Sequence, residues 1–273
     1  MTRTPAVLSG SISPIEMGGA SKKYDPLETT MSLGDHLEEL RMRLLLALAG
    51  LVVGVIVSLL FGKHIIAFIQ TPYVAVMGKD ASLKTLAPAQ GIASYMRICL
   101  VTGLVVSSPW VFYQLWMFVA AGLYPKERKY VYTAVPFSVA LFVAGAVFFM
   151  FVVAKLSLAF LVKFDKWLNL RSDWTFPRYV TFVSMLMLVF GLAFQTPLVI
   201  LILNRTGLVS LDRLRASRKY VLLGMFVIAA VATPPDFISQ VTLAIPLYLL
   251  FELGILLSSI WAGKSRAKTP EKK

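Results

Sequence analysis

Long apolar runs separated by shorter polar segments recur along the whole chain. Six such runs lie at residues 44–61, 98–124, 130–154, 179–204, 220–235 and 237–262. Most of them have the length that an α-helix needs to cross about 30 Å of hydrocarbon at about 1.5 Å per residue. The pattern therefore predicts an all-α polytopic membrane protein with six transmembrane helices.

The length of single runs and the positions of prolines add detail to this prediction. The fifth run has only sixteen residues, which cover about 24 Å and fall short of a full crossing. Pro109 lies inside the second run and predicts a bend there. Residues 64–69 predict a short interfacial helix that ends near Pro72. Residues 155–178 and 205–219 are predicted to be polar loops.

The two ends of the chain differ from its centre. Residues 1–31 have mixed charge and no periodicity, which predicts a mobile tail. Ser32, followed three residues later by Asp35, is a capping pattern that predicts the start of the first helix. We therefore expect a membrane domain over residues 32–263 and a basic tail over 264–273.

Composition and charge agree with a membrane protein. The chain is 58% hydrophobic and carries a formal net charge of +13, with a mean hydropathy of +0.75. Six spans put both termini on one side, and that side collects 18 of the 27 basic residues. The positive-inside rule therefore predicts cytoplasmic termini. The basic residues follow the loops rather than one stripe, and no nucleic-acid-binding motif is present, so nucleic acid is not an expected partner.

The residues that several classes of function require are missing from the sequence. The chain has one cysteine, Cys99, and two histidines, His36 and His64, which are far apart in sequence. Neither a disulfide framework nor a metal site is expected. No phosphate-binding loop, zinc-protease helix or nucleophile elbow occurs. We expect no cofactor and no enzymatic activity.

Two carboxylates at span ends are candidates for recognition. Glu39 precedes the first run and Glu127 follows the second, so both lie on the predicted cytoplasmic side. Paired carboxylates suit a guanidinium, because two parallel N–H···O bonds fix both geometry and charge. The alternative is that Glu39 pairs with Arg43 on its own helix and Glu127 with Arg128 or Lys129.

Two polar residues lie inside predicted spans. Glu252 is near the middle of the sixth run, where a carboxylate is costly and is usually functional or paired. It could serve a proton or cation relay, or form a structural hydrogen bond. Gln195, in the fourth run, could bond between helices of the bundle or face outward to dock another protein's helix.

Five segments, taken in order, resemble the TatC family, the multi-spanning receptors of the twin-arginine protein translocase. They are residues 36–43 (HLEELRMR), 113–118 (YQLWMF), 122–128 (GLYPKER), 190–197 (FGLAFQTP) and 233–240 (TPPDFISQ). The resemblance covers about residues 32–263. It implies a concave, glove-like bundle with short helices 5 and 6 and both termini in the cytoplasm.

The resemblance also implies roles for particular residues. In the family, glutamates at the positions of Glu39 and Glu127 contact the paired arginines of the signal peptide, and Arg41 and Phe118 match positions near that site. The region of Thr233 is associated with TatB docking. Where many relatives have a glutamate that contacts TatA, this chain has Gln195. The proline of the family's first outer loop is matched by Pro72. The polar residues around its last outer turn are matched by Asp236 and Gln240. We group Glu252 with these structural or outer-loop positions.

The expected function is therefore recognition of twin-arginine signal peptides and, with TatB, TatA and other TatC copies, transport of folded proteins across the bacterial cytoplasmic (inner) membrane. The resemblance implies that the proton-motive force supplies the energy. The rival hypothesis is a small-solute or ion transporter coupled through Glu252. A purely structural membrane subunit is a third hypothesis.

Overall fold

The computed structural model describes residues 33–78, 82–122, 128–232 and 237–266, and their regular structure is helical. The α-helices are α1 Leu33–Leu60, α2 Gly62–Met77, α3 Gln90–Ala121, α4 Arg128–Phe148, α5 Ala154–Trp167, α6 Phe176–Ala193, α7 Thr196–Arg205, α8 Leu211–Ala216, α9 Arg218–Ala232 and α10 Phe237–Arg266. One π-helical turn, Phe149–Val153, joins α4 to α5 without a break. Among these residues, strand-like pairing is limited to one isolated bridge, between Lys84 and Thr175.

Five stretches of the described chain are long and apolar enough to cross a membrane. They lie in α1, in α3, in α4 with α5, in α6 with α7, and in α10. The fifth predicted run forms α9, which has fifteen residues. At about 1.5 Å per residue it spans about 22 Å, in line with the short crossing expected there.

The third span extends further than its hydropathy predicts. The segment 155–178 was expected to be a loop, but residues 154–167 continue the helix beyond the π-helical turn. Leu158 and Val162 are buried one turn apart, while Lys163 and Lys166 are exposed. The prediction was wrong because lysines on the wet face of an amphipathic helix lower its mean hydropathy.

Helix α2 continues through the proline that was expected to end it. Pro72 lies inside the helix, which runs on to Met77. A proline removes one helical hydrogen bond, yet Pro72 and its neighbour Tyr73 are both buried. The Tyr179 hydroxyl of α6 donates to the Ile69 carbonyl of the same turn at 2.5 Å. Tertiary packing therefore holds a turn that propensity alone would end.

Three more segments differ from what the sequence predicts. The loop 205–219 contains the short helix α8. The sixth helix is not short, because α10 has thirty residues. The fourth span is interrupted at Phe194 and Gln195, just before α7 begins with Pro197 near its N-terminus. Ser32, the expected cap of α1, lies outside the described residues.

Helix α1 packs along α3 through small residues. A Cβ atom at Gly54 would lie 2.5 Å from the Gly103 carbonyl oxygen, and one at Gly103 would lie 2.8 Å from the Val55 Cα. Both neighbours are backbone atoms, so the helices can approach this closely only with glycine at both positions. The Trp110 indole N–H also donates to the Leu46 carbonyl at 2.8 Å. This contact fixes the register of α1 on α3.

The remaining helices pack around two apolar clusters. The larger one joins α2, α5, α6, α9 and α10, with Phe149 and Phe190 fully buried at its centre. The smaller one lies where α3, α4 and α7 meet, around Trp116, Phe142 and Leu198. Helix α1 belongs to neither cluster, and only 11% of its most apolar stretch is buried. Its exposed face is suited to lipid.

The segment after α2 is fastened to the start of α6. The Lys84 backbone exchanges hydrogen bonds with Trp174 and Phe176, at 3.3 and 2.8 Å. The Lys84 ammonium contacts Asp173 Oδ2 at 2.8 Å. The hydrogen bond from Lys84, aided by the positive charges of Lys84 and Arg171, lowers the pKa of the Asp173 carboxyl despite some opposing desolvation. We refer to this group as the Lys84–Asp173 clamp.

Candidate functional site

The first turns of α1 lie against the last turns of α3. The His36 imidazole stacks on the Phe118 ring, with centroids 4.6 Å apart and planes inclined by 23°. Gly122, just after α3, lies beside this imidazole, and a Cβ there would be at an ordinary van der Waals distance of 3.5 Å from His36 Cε1. The helix ends that carry the predicted charged residues are therefore held together by an aromatic contact.

Two helical turns further along α1, an arginine connects the two helices. Arg43 Nη1 donates to Gln114 Oε1 at 3.2 Å, and Arg43 Nη2 to Glu39 Oε1 at 3.4 Å. The Gln114 side chain is only 2% exposed. The expected pairing of Glu39 with Arg43 on one helix is thus present. At 3.4 Å it is longer than the 2.7–2.9 Å typical of a charge-assisted hydrogen bond.

The other oxygen of Glu39 is the notable atom of this site. Glu39 Oε2 is buried and has no hydrogen-bond partner among the residues that the structure describes, although the side chain as a whole is 21% exposed. A buried carboxylate oxygen without a donor is unfavourable by about 1–3 kcal/mol or more. This atom is therefore an unused acceptor, and an incoming cationic group can bind it once a covering side chain moves aside.

The other residues predicted for this site differ in how far they are exposed to solvent, and one of them is not described by the structure. Arg41 is exposed on α1 and Phe118 is partly buried under His36. The neighbouring Glu38 is exposed. Glu127 lies outside the described residues, so its distance to Glu39 stays a prediction.

Gln195 lies in the break between α6 and α7. Its Nε2 donates to the Ser138 carbonyl of α4 at 2.9 Å. The Ser138 hydroxyl in turn accepts from the Trp116 indole at 2.6 Å. Of the two alternatives for Gln195, this arrangement matches the hydrogen bond between helices of the bundle.

Glu252 is paired inside the bundle. Its two oxygens accept from Arg218 Nη2 and from the Tyr248 hydroxyl, each at 2.8 Å. Because α9 is short, Arg218 in its first turn lies beside the middle of α10. Of the two alternatives for Glu252, this arrangement matches a structural role. The carboxylate faces a cation instead of a chain of proton carriers.

The remaining predicted residues lie away from the α1–α3 site. Gln240, in the first turns of α10, donates from Nε2 to the Phe226 carbonyl of α9 at 2.9 Å. Pro72 is buried within α2. Thr233 and Asp236 lie outside the described residues. Among the described residues, no group of three potential metal-binding side chains was found.

Sequence reasoning missed three contributors to the site: His36, Arg43 as a bridge, and Gln114. For Gln114 the sequence does predict a hydrogen-bond partner, because an amide within an apolar span is expected to have one. The partner could not be named from the sequence, since it depends on the register of α1 against α3.

Comparison with known proteins places the chain in a family. The model of the family "Sec-independent protein translocase protein (TatC)" matches residues 35–246. The chain belongs to the TatC family. The TatC proteins of Desulforapulum autotrophicum and Escherichia coli K12 are 32% and 34% identical to it over 237 and 241 residues. The alignments cover 87% and 88% of this chain and 87% and 93% of those proteins.

A crystal structure of a twin-arginine translocase receptor TatC superimposes with a TM-score of 0.75 at 32% identity. The match covers 82% of this chain and 98% of that TatC chain. The expected fold class, an all-α polytopic bundle with six membrane-spanning helices, is confirmed. The resemblance of the sequence motifs to TatC is confirmed as well, and with it a role in Sec-independent protein translocation.

Proposed function

We propose that this chain is the signal-peptide receptor of a twin-arginine translocase and that the α1–α3 site receives the paired arginines. The observation that carries the proposal is Glu39, whose Oε2 lacks a donor in the described part of the chain while Oε1 is only loosely held by Arg43. A guanidinium supplies N–H groups in the geometry that a carboxylate accepts.

In this proposal Arg43 also determines how much of the Glu39 charge is left for the signal peptide. Gln114 holds part of the Arg43 guanidinium on α3, so the charge of Glu39 is only partly neutralised. Glu127 is the proposed second carboxylate, Arg41 and Phe118 border the site, and the apolar part of the signal peptide follows a groove between spans. One carboxylate for each arginine would favour Arg-Arg over Lys-Lys, because an ammonium is a compact charge without the planar fork.

Orientation and partners complete the proposal. The 18 basic residues on the side of the termini favour a cytoplasmic location for both termini and for the α1–α3 site, in a bacterial inner membrane. TatB, TatA and further TatC copies are the proposed partners, with Thr233 as the docking position. The Gln195 amide is instead used within the bundle, where it donates to the Ser138 carbonyl. The proposed role is non-enzymatic, and transport of folded proteins is driven by the proton-motive force.

The rival transporter hypothesis has lost its main support. It needed Glu252 as a coupling group that binds and releases a cation. That carboxylate is occupied by Arg218 and Tyr248, and in the described residues of α10 it has no second acidic side chain beside it.

The test replaces Glu39 and Glu127 singly with glutamine, with Glu38→Gln as the matched control on the exposed face of α1. A precursor with an Arg-Arg signal peptide is co-purified with each variant. We expect binding to fall roughly 10- to 100-fold for Glu39→Gln, the equivalent of one hydrogen bond to a charged group, and comparably for Glu127→Gln. Glu38→Gln should bind like the wild type. Unchanged binding in both site variants would refute the assignment.

A further inference from the structure

A recess of about 290 Å³ opens between α5, the connection 168–175 and the first turns of α6. It is far in sequence from the α1–α3 site and has no role in the proposed function. Its lining comprises the apolar Leu158, Leu161 and Phe182, the charged Asp165, Asp173 and Arg178, and also Trp174, Thr175 and Tyr179. Its volume is close to the lower end of the range for small-molecule sites, about 300–1,000 Å³.

The recess combines charge and apolar surface in a definite order. On α5, Asp165 lies in the last turn, and Leu161 and Leu158 lie one and two turns deeper. On α6, Arg178 lies in the first turn and Phe182 one turn deeper. The two membrane-spanning stretches end at Trp167 and begin again at Phe176. The charged rim therefore lies at the ends of the two stretches, and the apolar lining lies one to two helical turns further into them.

The rim offers groups for both a cation and an anion. Asp165 Oδ2 accepts from the Ser172 hydroxyl at 2.7 Å, and Asp173 Oδ2 from Lys84 at 2.8 Å. In the described part of the chain, Oδ1 of each aspartate has no hydrogen-bond partner. The exposed Arg178 guanidinium likewise forms no ion pair there. Two carboxylate oxygens and one guanidinium are thus available at the mouth of the recess.

We propose that this recess binds the headgroup of a phospholipid that carries a primary ammonium, as in phosphatidylethanolamine. The ammonium donates to Asp165 and Asp173, the phosphate lies on Arg178, and the first part of an acyl chain lies along Leu161 and Phe182. Phosphatidylcholine has no N–H to donate. Phosphatidylglycerol has no cation and brings its negative charge close to two aspartates. The recess should therefore prefer ethanolamine over choline, and both over glycerol headgroups.

The test uses the full chain, purified in detergent, stripped of lipid and mixed with equimolar dioleoyl phosphatidylethanolamine, phosphatidylcholine and phosphatidylglycerol. Native mass spectrometry then counts each retained lipid by its mass. We expect phosphatidylethanolamine to be retained in the largest amount. Arg178→Gln should lower its retention about tenfold, the change expected for one lost charge-assisted contact. Arg213→Gln, at an exposed arginine of α8 that does not line the recess, should have no effect.

A second variant separates binding from folding. Asp165→Asn removes a carboxylate but keeps an acceptor for Ser172, and it should reduce the preference for ethanolamine over choline. Thermal unfolding of each variant checks that its fold is intact. Should Arg178→Gln fail to fold, Asp165→Asn and the wild-type competition decide the matter. Equal or greater retention of phosphatidylglycerol by the wild type, or equal retention of phosphatidylethanolamine by Arg178→Gln and Arg213→Gln, would overturn the proposal.

Discussion

Arg43 divides its guanidinium between two acceptors, Gln114 on α3 and Glu39 on α1, at 3.2 and 3.4 Å. Neither contact has the short distance of a strong ion pair. The buried amide thus limits how fully Arg43 can neutralise Glu39. At the scale of single residues, the proposed binding of an arginine pair depends as much on Gln114 as on the carboxylate itself.

Gln114→Leu should test this division. Without the amide oxygen, Arg43 is free to close fully on Glu39, and the guest guanidinium then meets a carboxylate that is already neutralised. We expect affinity for an Arg-Arg signal peptide to fall about tenfold and the free energy of unfolding to fall by about 1 kcal/mol. Peptide titration and thermal unfolding of the purified protein measure the two effects. Undiminished affinity in a folded Gln114→Leu variant would show that Gln114 has no positioning role.

Among the elements, α1 depends almost entirely on α3 for its position. It joins neither apolar cluster, and its register is set by the close approach at Gly54 and Gly103 and by the Trp110 hydrogen bond. Since Glu39 and Arg43 belong to α1 while Gln114 and Phe118 belong to α3, the geometry of the site depends on this single helix pair.

Gly54→Ala should loosen the pair. Its Cβ would lie 2.5 Å from the Gly103 carbonyl oxygen, a backbone atom that cannot move without shifting the helix. We expect a loss of about 1–3 kcal/mol in the free energy of unfolding, together with weaker signal-peptide binding. Gly224→Ala is the matched control, because a Cβ there meets nothing within 4 Å, and it should be neutral or stabilising by up to about 1 kcal/mol. Equal stability of the two variants would contradict this packing.

A second element contact, the Lys84–Asp173 clamp, should respond to pH. The pKa of Asp173 is lowered in the folded protein, chiefly by the hydrogen bond from Lys84. The clamp therefore contributes its full stabilisation above the ordinary carboxyl pKa of 3.8 and loses it as the pH falls through the lowered value. Thermal unfolding of the wild type and Asp173→Asn, measured between neutral and strongly acidic pH, should show a small difference that vanishes at the acidic end. A difference that grows on acidification would contradict the assigned pKa direction.

Across the whole molecule, several polar contacts within the spans connect helices. Gln195 joins the α6–α7 break to α4, and Glu252 joins α10 to α9. A bundle held in this way is suited to a receptor and scaffold. A coupled transporter would need carboxylates that can exchange their cation.

Glu252→Gln distinguishes these two roles. Both partners of the ion pair are partly exposed, so we expect its loss to lower the free energy of unfolding by no more than about 1 kcal/mol. Signal-peptide binding should be preserved. Liposomes that contain this protein alone should show no flux of ions or small solutes with either the wild type or the variant. A flux present in the wild type and abolished in Glu252→Gln would support the transporter hypothesis.

How much could be predicted from the sequence depended on the physical signal. The apolar runs and the short α9 were predictable, since hydropathy and length directly reflect the thickness of the bilayer. The helix over 154–167 was missed because its lysines hide an amphipathic period. The contacts of Arg43 with Gln114 and of Arg218 with Glu252 join distant segments, and only the packed register of the helices brings them together. The TatC motifs pointed to Glu39, but its unpartnered oxygen is a property of the fold.

The most direct measurement of the central claim places a photoreactive residue next to the arginine pair of a precursor and maps its crosslinks on this protein by mass spectrometry. We expect crosslinks both to residues 36–43 of α1 and to the segment around Glu127, and far fewer when the pair is Lys-Lys. Crosslinks confined to one of these segments, or equally abundant for the two precursors, would contradict it.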